Sequence, residues 1–390
     1  MITLILNSKN LTLKIPVDTI LLWKEKTMTN KLEKPQQITF DLTDRCQMQC
    51  VTCSKWKTVP SDVISKELTT EEWKKAISDL KNWLGEGFWV CFSGGEPFLR
   101  QDIFELAGYA NSLGVKVASM TNAFGIQNLY EKIIDSPIES LNISLNAINN
   151  PLIHDASRGR DGSYEKIIDT IMELIKLRNE KQKSLGINIA TIMLPENLEE
   201  IIPLVEFVTK NKINGIMFQL FDDKESFHGY YYQKGCMTST YKMPKDLRIQ
   251  YKNMSKRAIE IIDRLIEMKR AGHSIYNSYE QLYAMKIFFN NPDDILKDIV
   301  CDVGSTNFAI DPYGDVRLCF NMTPVGNIKD EKPENIWINS NSEKCRLMTK
   351  SCKMYCRMLN CNFKHNFANF NKGFFTKCIN KVKKILTGKK

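Results

Sequence analysis

The chain has 390 residues, 43% of them hydrophobic and 25% charged, the balance of an ordinary soluble globular protein with room for two or three domains. No apolar run approaches the length of a transmembrane helix, and the apolar start Met1–Leu6 is broken by Asn7-Ser8-Lys9-Asn10, short of the continuous apolar region of a secretory signal. Of the +9 net charge, residues 366–390 supply seven lysines and no acid, so the remainder is close to balanced and excludes a nucleic-acid-binding stripe.

Residues 1–37 read as an N-terminal extension. Ile38, Phe40 and Leu42 then alternate as a first strand, which runs into Asp44-Arg45-Cys46-Gln47-Met48-Gln49-Cys50-Val51-Thr52-Cys53. With no export signal, the twelve cysteines are expected in a reducing compartment, where clustered thiols point to metal rather than to disulfides. Closely spaced thiolates hold iron–sulfur clusters, and a four-iron cluster normally takes four of them, so three in one loop leave one iron open. A structural zinc site is the alternative, although such sites usually close with four ligands in two pairs.

Thr69-Thr70-Glu71-Glu72 supplies a capping box for a helix whose apolar positions Trp73, Ala76, Ile77, Leu80 and Leu84 recur at helical spacing, with Gly85 ending it. Phe88–Phe92 reads as a short buried strand, and Ser93-Gly94-Gly95-Glu96-Pro97 follows at once. Glycines there let backbone approach a ligand closely, and the proline sets the exit angle. Further strand patterns at 115–120, 141–145, 187–193 and 215–220 alternate with helical ones that include 164–177 and 198–209. Six strands alternating with helices imply parallel pairing and right-handed crossovers, with ligand sites at the strand C-terminal ends. Thr121 and Asn122 end the third strand, Ser144 and Asn146 the fourth, and Arg158 follows in His154-Asp155-Ala156-Ser157-Arg158-Gly159. Turn chemistry alone also accounts for Asn, Ser and Gly at such places.

Residues 222–297 form a linking region. His228 reads as a solvated turn residue, Tyr230, Tyr231 and Tyr232 as a cleft lining or a domain junction, and Lys245–Arg270 as a long helix. In residues 298–365, Pro312-Tyr313-Gly314-Asp315 is a hairpin signal between apolar runs, which sets Cys301 and Cys319 facing each other across a small sheet. Cys352, Cys356 and Cys361 add three thiols; Cys345 reads as a bystander on a helix, Cys91 as a small core residue, and Cys236 and Cys378 have no neighbours in sequence. The tail, 366–390, forms a basic amphipathic helix with Phe375, Ile379, Val382 and Leu386 on one face, docked on the protein itself or lying on an anionic membrane surface.

The C-x3-C-x2-C spacing of Cys46, Cys50 and Cys53, followed by Gly94-Gly95-Glu96-Pro97, resembles the radical S-adenosylmethionine enzymes. Cys301, Gly314 and Cys319, with Val325–Ile328 and the helix carrying Trp337, resemble the SPASM and twitch extensions of that family. The resemblance implies an α/β fold, a partial (β/α)6 TIM-like barrel over residues 38–221 with a small C-terminal cysteine-rich α+β extension at 298–365. It implies a 4Fe–4S cluster on Cys46, Cys50 and Cys53, with the open iron chelated by the amino and carboxylate groups of S-adenosylmethionine. Cofactor contacts would come from Gly94, Gly95, Glu96 and Pro97 near the methionine amino group, from Thr121, Asn122, Ser144 and Asn146, and from Arg158 on the methionine carboxylate. Two residues depart from the family pattern: Asn146 stands where an aspartate is frequent, and Thr52 where an aromatic residue is usual. Asparagine can still hydrogen-bond a ribose hydroxyl.

An auxiliary 4Fe–4S cluster would be held by Cys301, Cys319, Cys352 and Cys356, with Cys361 as a rival ligand and zinc as the alternative metal. The implied activity is reductive cleavage of S-adenosylmethionine to a 5′-deoxyadenosyl radical, which takes a hydrogen atom from a peptide or small-molecule substrate. An electron donor such as flavodoxin or ferredoxin, a cytoplasmic location and a peripheral contact of the tail with the inner membrane face complete that expectation. Peptide modifiers often add a leader-binding domain, for which residues 1–37 are too few, although such a domain can be a separate chain. A non-catalytic iron–sulfur or zinc scaffold is the alternative, and it has no need of the GGEP turn. None of the four histidines pairs with a motif as a general acid or base.

Overall fold

Period-two burial builds the sheet. In β1 (Gln37–Thr43), Ile38, Phe40 and Leu42 are at most 3% exposed and face outward to the helical layer, whereas Gln37 and Thr39 line the interior. The computed structural model describes residues 32–53, 55, 66–220, 254–291, 294, 295, 299, 301–352, 355–358 and 363. From β1 the chain passes the cysteine loop to α1 (Thr70–Leu84), whose capping box closes as expected between Thr69 and Glu72. Gly85 ends the helix at φ +87°, a conformation that glycine adopts without strain. Trp73 of α1 stacks on Phe40 with ring centroids 4.8 Å apart and is fully buried, so this pair fixes the helix on the strand. Burial of such an aromatic side chain contributes about 2–3 kcal/mol.

The pattern then repeats. β2 (Trp89–Gly94) leads to α2 (Ile103–Ser112), β3 (Lys116–Thr121) to α3 (Tyr130–Asp135), and β4 (Ile138–Ser144) to α4 (Pro151–Arg158) and α5 (Ser163–Glu180). β5 (Gly186–Met193) is followed by α6 (Ile201–Lys210) and β6 (Gly215–Leu220). The six strands pair in parallel in sequence order, with Ile38 opposite Val90 and Phe40 opposite Phe92. This is the open (β/α)6 barrel expected from the sequence. Beyond it lie α7 (Ser255–Arg270) and α8 (Tyr279–Asn290), the former matching the described part of the expected 245–270 helix.

The C-terminal extension does not build a separate small sheet. Its strand β7 (Asn307–Ile310) pairs in parallel with β1, Gln37 opposite Asn307 and Phe40 opposite Ile310. β8 (Asp315–Arg317) and β9 (Gly326–Asn327) then add antiparallel strands, giving one nine-stranded sheet in the order β6-β5-β4-β3-β2-β1-β7-β8-β9. α9 (Pro333–Ile338) and α10 (Ser340–Ser351) follow. Trp83 of α1, Phe308 of β7 and Trp337 of α9 lie 5.7–6.3 Å apart, an aromatic cluster that joins the barrel to the extension. Cys236, Cys361, Cys378, His228, the tyrosine cluster and the basic tail lie outside the described residues.

Candidate active site

All three loop thiols sit at the C-terminal end of β1, held by backbone on two sides. On one side the GGEP turn after β2 docks through Gly95 N–H to Thr43 O (2.7 Å) and Glu96 N–H to Arg45 O (2.8 Å). On the other, Gln49 N–H donates to Arg158 O and Val51 N–H to Ser157 O, each at 3.1 Å, so the C-terminus of α4 pins the loop between Cys46 and Cys53. Glycine is required at both docks. A Cβ on Gly95 would stand 2.2 Å from Arg45 O, and one on Gly159 would stand 2.1 Å from Gln49 O with the backbone at φ +60°.

Cys46, Cys50 and Cys53 ring a cavity of about 270 Å³ together with Gly94, Gly95 and Arg158. Burial pushes the Cys46 thiol up to about 11, and charge on Glu96, Cys50 and Cys53 adds to the shift. Burial raises Cys53 as well, opposed by the Lys55 N–H that its sulfur accepts. Three neighbouring thiols, one buried and two half-buried, become thiolates readily only when a cationic group binds them. Among the described residues no three thiol, imidazole or carboxylate groups meet closely enough to chelate one metal ion. Three thiols on one cavity match the donor set of an iron–sulfur group that takes one thiolate per iron.

The strand-end residues fall into two classes. Arg158, Asn122, Thr121 and Ser144 line the thiol cavity, as do Pro97 and Thr52. Asn122 reaches the thiols themselves, donating through Nδ2 to Cys46 Sγ at 3.6 Å. Arg158 is buried and lines the cavity, a cation beside the thiols whose Nε has no hydrogen-bond partner among the described residues. Such a group fits a carboxylate.

Glu96 spends its carboxylate on hydrogen bonds within the protein. Its carboxylate is fully buried and turned away from the cavity, accepting from Asn122 N–H (2.7 Å), Thr121 Oγ1 (2.9 Å) and Phe98 N–H (3.3 Å). Burial pushes it up to about 7 despite those donors and the nearby Arg158. Here Glu96 acts through Thr121 and Asn122, tying the end of β3 to the turn after β2. Asn146 is also engaged: its Nδ2 donates to Ser157 Oγ at 2.9 Å and its Oδ1 accepts from Ile192 N–H at 3.3 Å, yet it still lines a larger cavity.

That cavity, about 510 Å³, runs along the barrel interior from Arg158 and Ser144 past Thr191 and Cys91 to Cys319 and Asn321 of the extension. Cys91 therefore faces the interior instead of the core behind the sheet. The cavity and the thiol site share Ser93, Met120, Ser144, Arg158, Ile192 and Gln219. Gln219 and Thr191 also line the larger cavity, although no motif marks either residue.

The second thiol field brings Cys301, Cys319 and Cys352 within electrostatic reach of one another, with Cys345 beside them. Cys301, Cys319 and Cys356 are buried, and Cys352 is half-buried. Burial and the nearby Cys301, Cys345 and Cys352 together push the Cys319 thiol well above its ordinary range. Cys356 Sγ accepts from Asn321 Nδ2 at 3.6 Å. Cys345, read from sequence as a bystander, is 4% exposed and turned inward, its thiol 3.3 Å from Met322 Sδ and close enough to Cys301 to feel its charge. Cys361 lies outside the described residues.

Comparison with known proteins agrees with this layout. A family model for the radical SAM superfamily matches residues 40–208, and one for SPASM, an iron–sulfur cluster-binding domain, matches residues 301–362. The AdoMet-dependent heme synthase of Methanosarcina barkeri is 29% identical over 234 residues, 58% of this chain and 62% of the relative. PqqA peptide cyclase of Bradyrhizobium diazoefficiens is 28% identical over 187 residues, 48% of this chain and 46% of the relative. The chain thus spans about half to three fifths of the length of these curated relatives. Among solved structures, Streptococcus suis SuiB bound to precursor peptide SuiA superposes with a TM-score of 0.59 at 18% identity, covering 87% of this chain and 74% of SuiB. Native anSMEcpe with bound AdoMet gives 0.58 at 17% identity, covering 91% of this chain and all of that one. At these identities the structural likeness is one of fold.

Proposed function

Because this chain belongs to the radical S-adenosylmethionine superfamily and carries a SPASM iron–sulfur domain, we propose that it is an enzyme that cleaves S-adenosylmethionine reductively and removes a hydrogen atom from a peptide or small-molecule substrate. One observation carries the reading: three thiols, the glycine turn and the buried Arg158 converge on one cavity at the C-terminal ends of the strands. A bare metal scaffold gives no reason for the glycine dock or for Arg158.

When bound, the 4Fe–4S cluster supplies one electron to S-adenosylmethionine, whose carbon–sulfur bond breaks to yield methionine and the 5′-deoxyadenosyl radical. Cys46, Cys50 and Cys53 would hold that cluster. Arg158 binds the methionine carboxylate, the backbone of Gly94 and Gly95 lies against the amino end, and Ser144 and Asn146 orient the ribose. Thr121 and Asn122, fixed by Glu96, complete the wall. Cys301, Cys319, Cys352 and Cys356 would hold the auxiliary 4Fe–4S cluster, with Cys345 as a further thiol in reach and Cys361 as a rival. That second group would take an electron from the substrate or anchor it. A small acidic donor such as flavodoxin or ferredoxin supplies the electrons.

The substrate occupies the larger cavity, where Arg158 is the one charged side chain among the described lining residues. A neutral portion of the substrate suits that surface. The relative named for a peptide substrate, PqqA peptide cyclase, and the SuiB structure with its bound precursor peptide support a peptide. Among the described residues no helix is long and apolar enough to cross a membrane, and a cytoplasmic site of action suits an oxygen-sensitive cluster. Contact of the basic tail with the membrane surface rests on its sequence alone.

The test is anaerobic reconstitution with iron and sulfide, then incubation with S-adenosylmethionine and a strong reductant. Formation of 5′-deoxyadenosine and methionine in step with cluster content is expected. Full cluster content without any cofactor cleavage would overturn the proposal.

A further inference from the structure

Two residues bracket the loop that carries the three thiols: Asp44 lies two positions before Cys46, and Lys55 two positions after Cys53. Their side chains meet across the base of the loop, with Lys55 Nζ 3.0 Å from Asp44 Oδ1 and also 3.0 Å from Asp41 Oδ2. All three side chains are less than a tenth exposed. A buried ion pair persists only where geometry and hydrogen bonding offset the loss of water, and breaking one is costly. The second Asp44 oxygen accepts a hydrogen bond from the Tyr313 hydroxyl at 2.9 Å. Tyr313 belongs to the β7–β8 turn of the C-terminal extension, and Pro312 O in the same turn accepts Leu68 N–H at 2.7 Å. Glu67 completes the contact, accepting from Thr43 Oγ1 (2.6 Å) and from Asp44 N–H (2.8 Å).

We propose that Asp44, Lys55 and Tyr313 form an ionic clasp that closes the cysteine loop, through which the C-terminal hairpin sets the position and electrostatic surroundings of the group bound by Cys46, Cys50 and Cys53. The nature of that group rests on the function proposed above; the clasp itself does not. Lys55 lines the same cavity as the three thiols, and its N–H bonds to the Cys53 sulfur, so its ammonium is a fixed cation beside the cluster site. Cluster potentials follow local charge and hydrogen bonds to the sulfurs. Lys55 and Tyr313 are thus positioning residues. The extension acts on the first metal site by direct hydrogen bonding as well as by whatever its own thiols hold.

The test combines hydrogen exchange with spectroscopy on the full chain, as purified and after reconstitution. In Tyr313→Phe, amides of residues 44–55 should exchange about tenfold faster, the scale set by loss of a hydrogen bond to a charged group. Lys55→Met should exceed that, and Lys55→Arg should restore most of the protection. Residues 88–121 should keep wild-type exchange in Tyr313→Phe. Tyr276→Phe, which removes a hydroxyl bond to Asn188 elsewhere in the barrel, should leave residues 44–55 unchanged. In reconstituted Tyr313→Phe and Lys55→Arg, the electron paramagnetic resonance signal of the first cluster should shift while that of the second stays in place. Wild-type exchange of 44–55 in Tyr313→Phe, or equal acceleration in Tyr276→Phe, would overturn the clasp; Tyr313→Phe decides the matter if Lys55→Met does not fold. A wild-type chain that takes up no iron on the loop would instead overturn the proposed function, and the exchange comparison would still judge the clasp.

Discussion

Replacing Gly95 by alanine probes the dock between the GGEP turn and the cysteine loop. The added methyl would lie 2.2 Å from Arg45 O, 2.7 Å from Arg45 C and 2.9 Å from Asp44 O, where ordinary contact begins at 3.4 Å. All three atoms are backbone, so no side chain can swing aside. The loop must retreat by about 1 Å, and a displacement of that size at a reacting centre costs about 100-fold in rate. Retreat also strains the two hydrogen bonds at Thr43 O and Arg45 O, worth about 1 kcal/mol each; overpacking adds roughly 1–3 kcal/mol. The full local cost is therefore about 3–5 kcal/mol, enough to displace the loop without unfolding the barrel. Gly108→Ala is the matched control: it lies within α2 with nothing within 4 Å of a built Cβ, so it should be neutral or stabilise by about 0.5–1 kcal/mol. The assay is 5′-deoxyadenosine formation per bound cluster, alongside the thermal midpoint of each variant. Cleavage by Gly95→Ala within threefold of wild type would refute the geometric argument.

Three further perturbations read other parts of the site. Arg158→Gln should weaken equilibrium binding of S-adenosylmethionine about 10- to 100-fold, the scale of a buried charged hydrogen bond; unchanged binding would remove Arg158 from the carboxylate. Cys301→Ala combined with Cys319→Ala should reduce reconstituted iron from about eight to about four atoms per chain, while cofactor cleavage persists; zinc in place of the lost iron would revive the alternative metal. Asp311 tests a pH dependence: burial, then the charge of Asp315, raises it from 3.8 to about 7. A folded-state value above the unfolded one adds stability at low pH that is lost as pH rises from about 4 to 7. Asp311→Asn keeps an acceptor for the Tyr313 and Asp315 amides, so it should match wild type near pH 4 and exceed it at pH 8 by on the order of 2–4 kcal/mol. An Asn variant less stable than wild type at pH 8 would contradict this.

The barrel was legible because its signals are local. Each strand is an apolar or alternating run in the sequence, Phe88–Phe92 among them, and the helix after the cysteine loop announces itself through Thr69, Glu72 and Gly85. The thiol loop and the glycine turn were legible for a similar reason, since ligand spacing and close backbone approach are written in consecutive residues. What escaped depends on long-range packing. Nothing in Asn307–Ile310 reveals that it pairs with β1 instead of starting a sheet of its own. Cys345 reads as one residue of a polar helix, and only the rotation of that helix turns its thiol toward Met322 and Cys319. Glu96 is a complementary case: its motif marks the turn, and only the packing shows its carboxylate bonded to Thr121 and Asn122. Lys55 and Tyr313 carry no motif, and the Asp44–Tyr313 contact that links them spans 269 positions in sequence.

The central claim is that Cys46, Cys50 and Cys53 hold the cluster at which S-adenosylmethionine is cleaved. Its most direct test is a variant with all three changed to alanine, reconstituted anaerobically, with iron content and 5′-deoxyadenosine measured on the same sample. Loss of about four irons, retention of the second cluster and no cleavage above the protein-free rate are expected. Cleavage at the wild-type rate by the triple variant would contradict it.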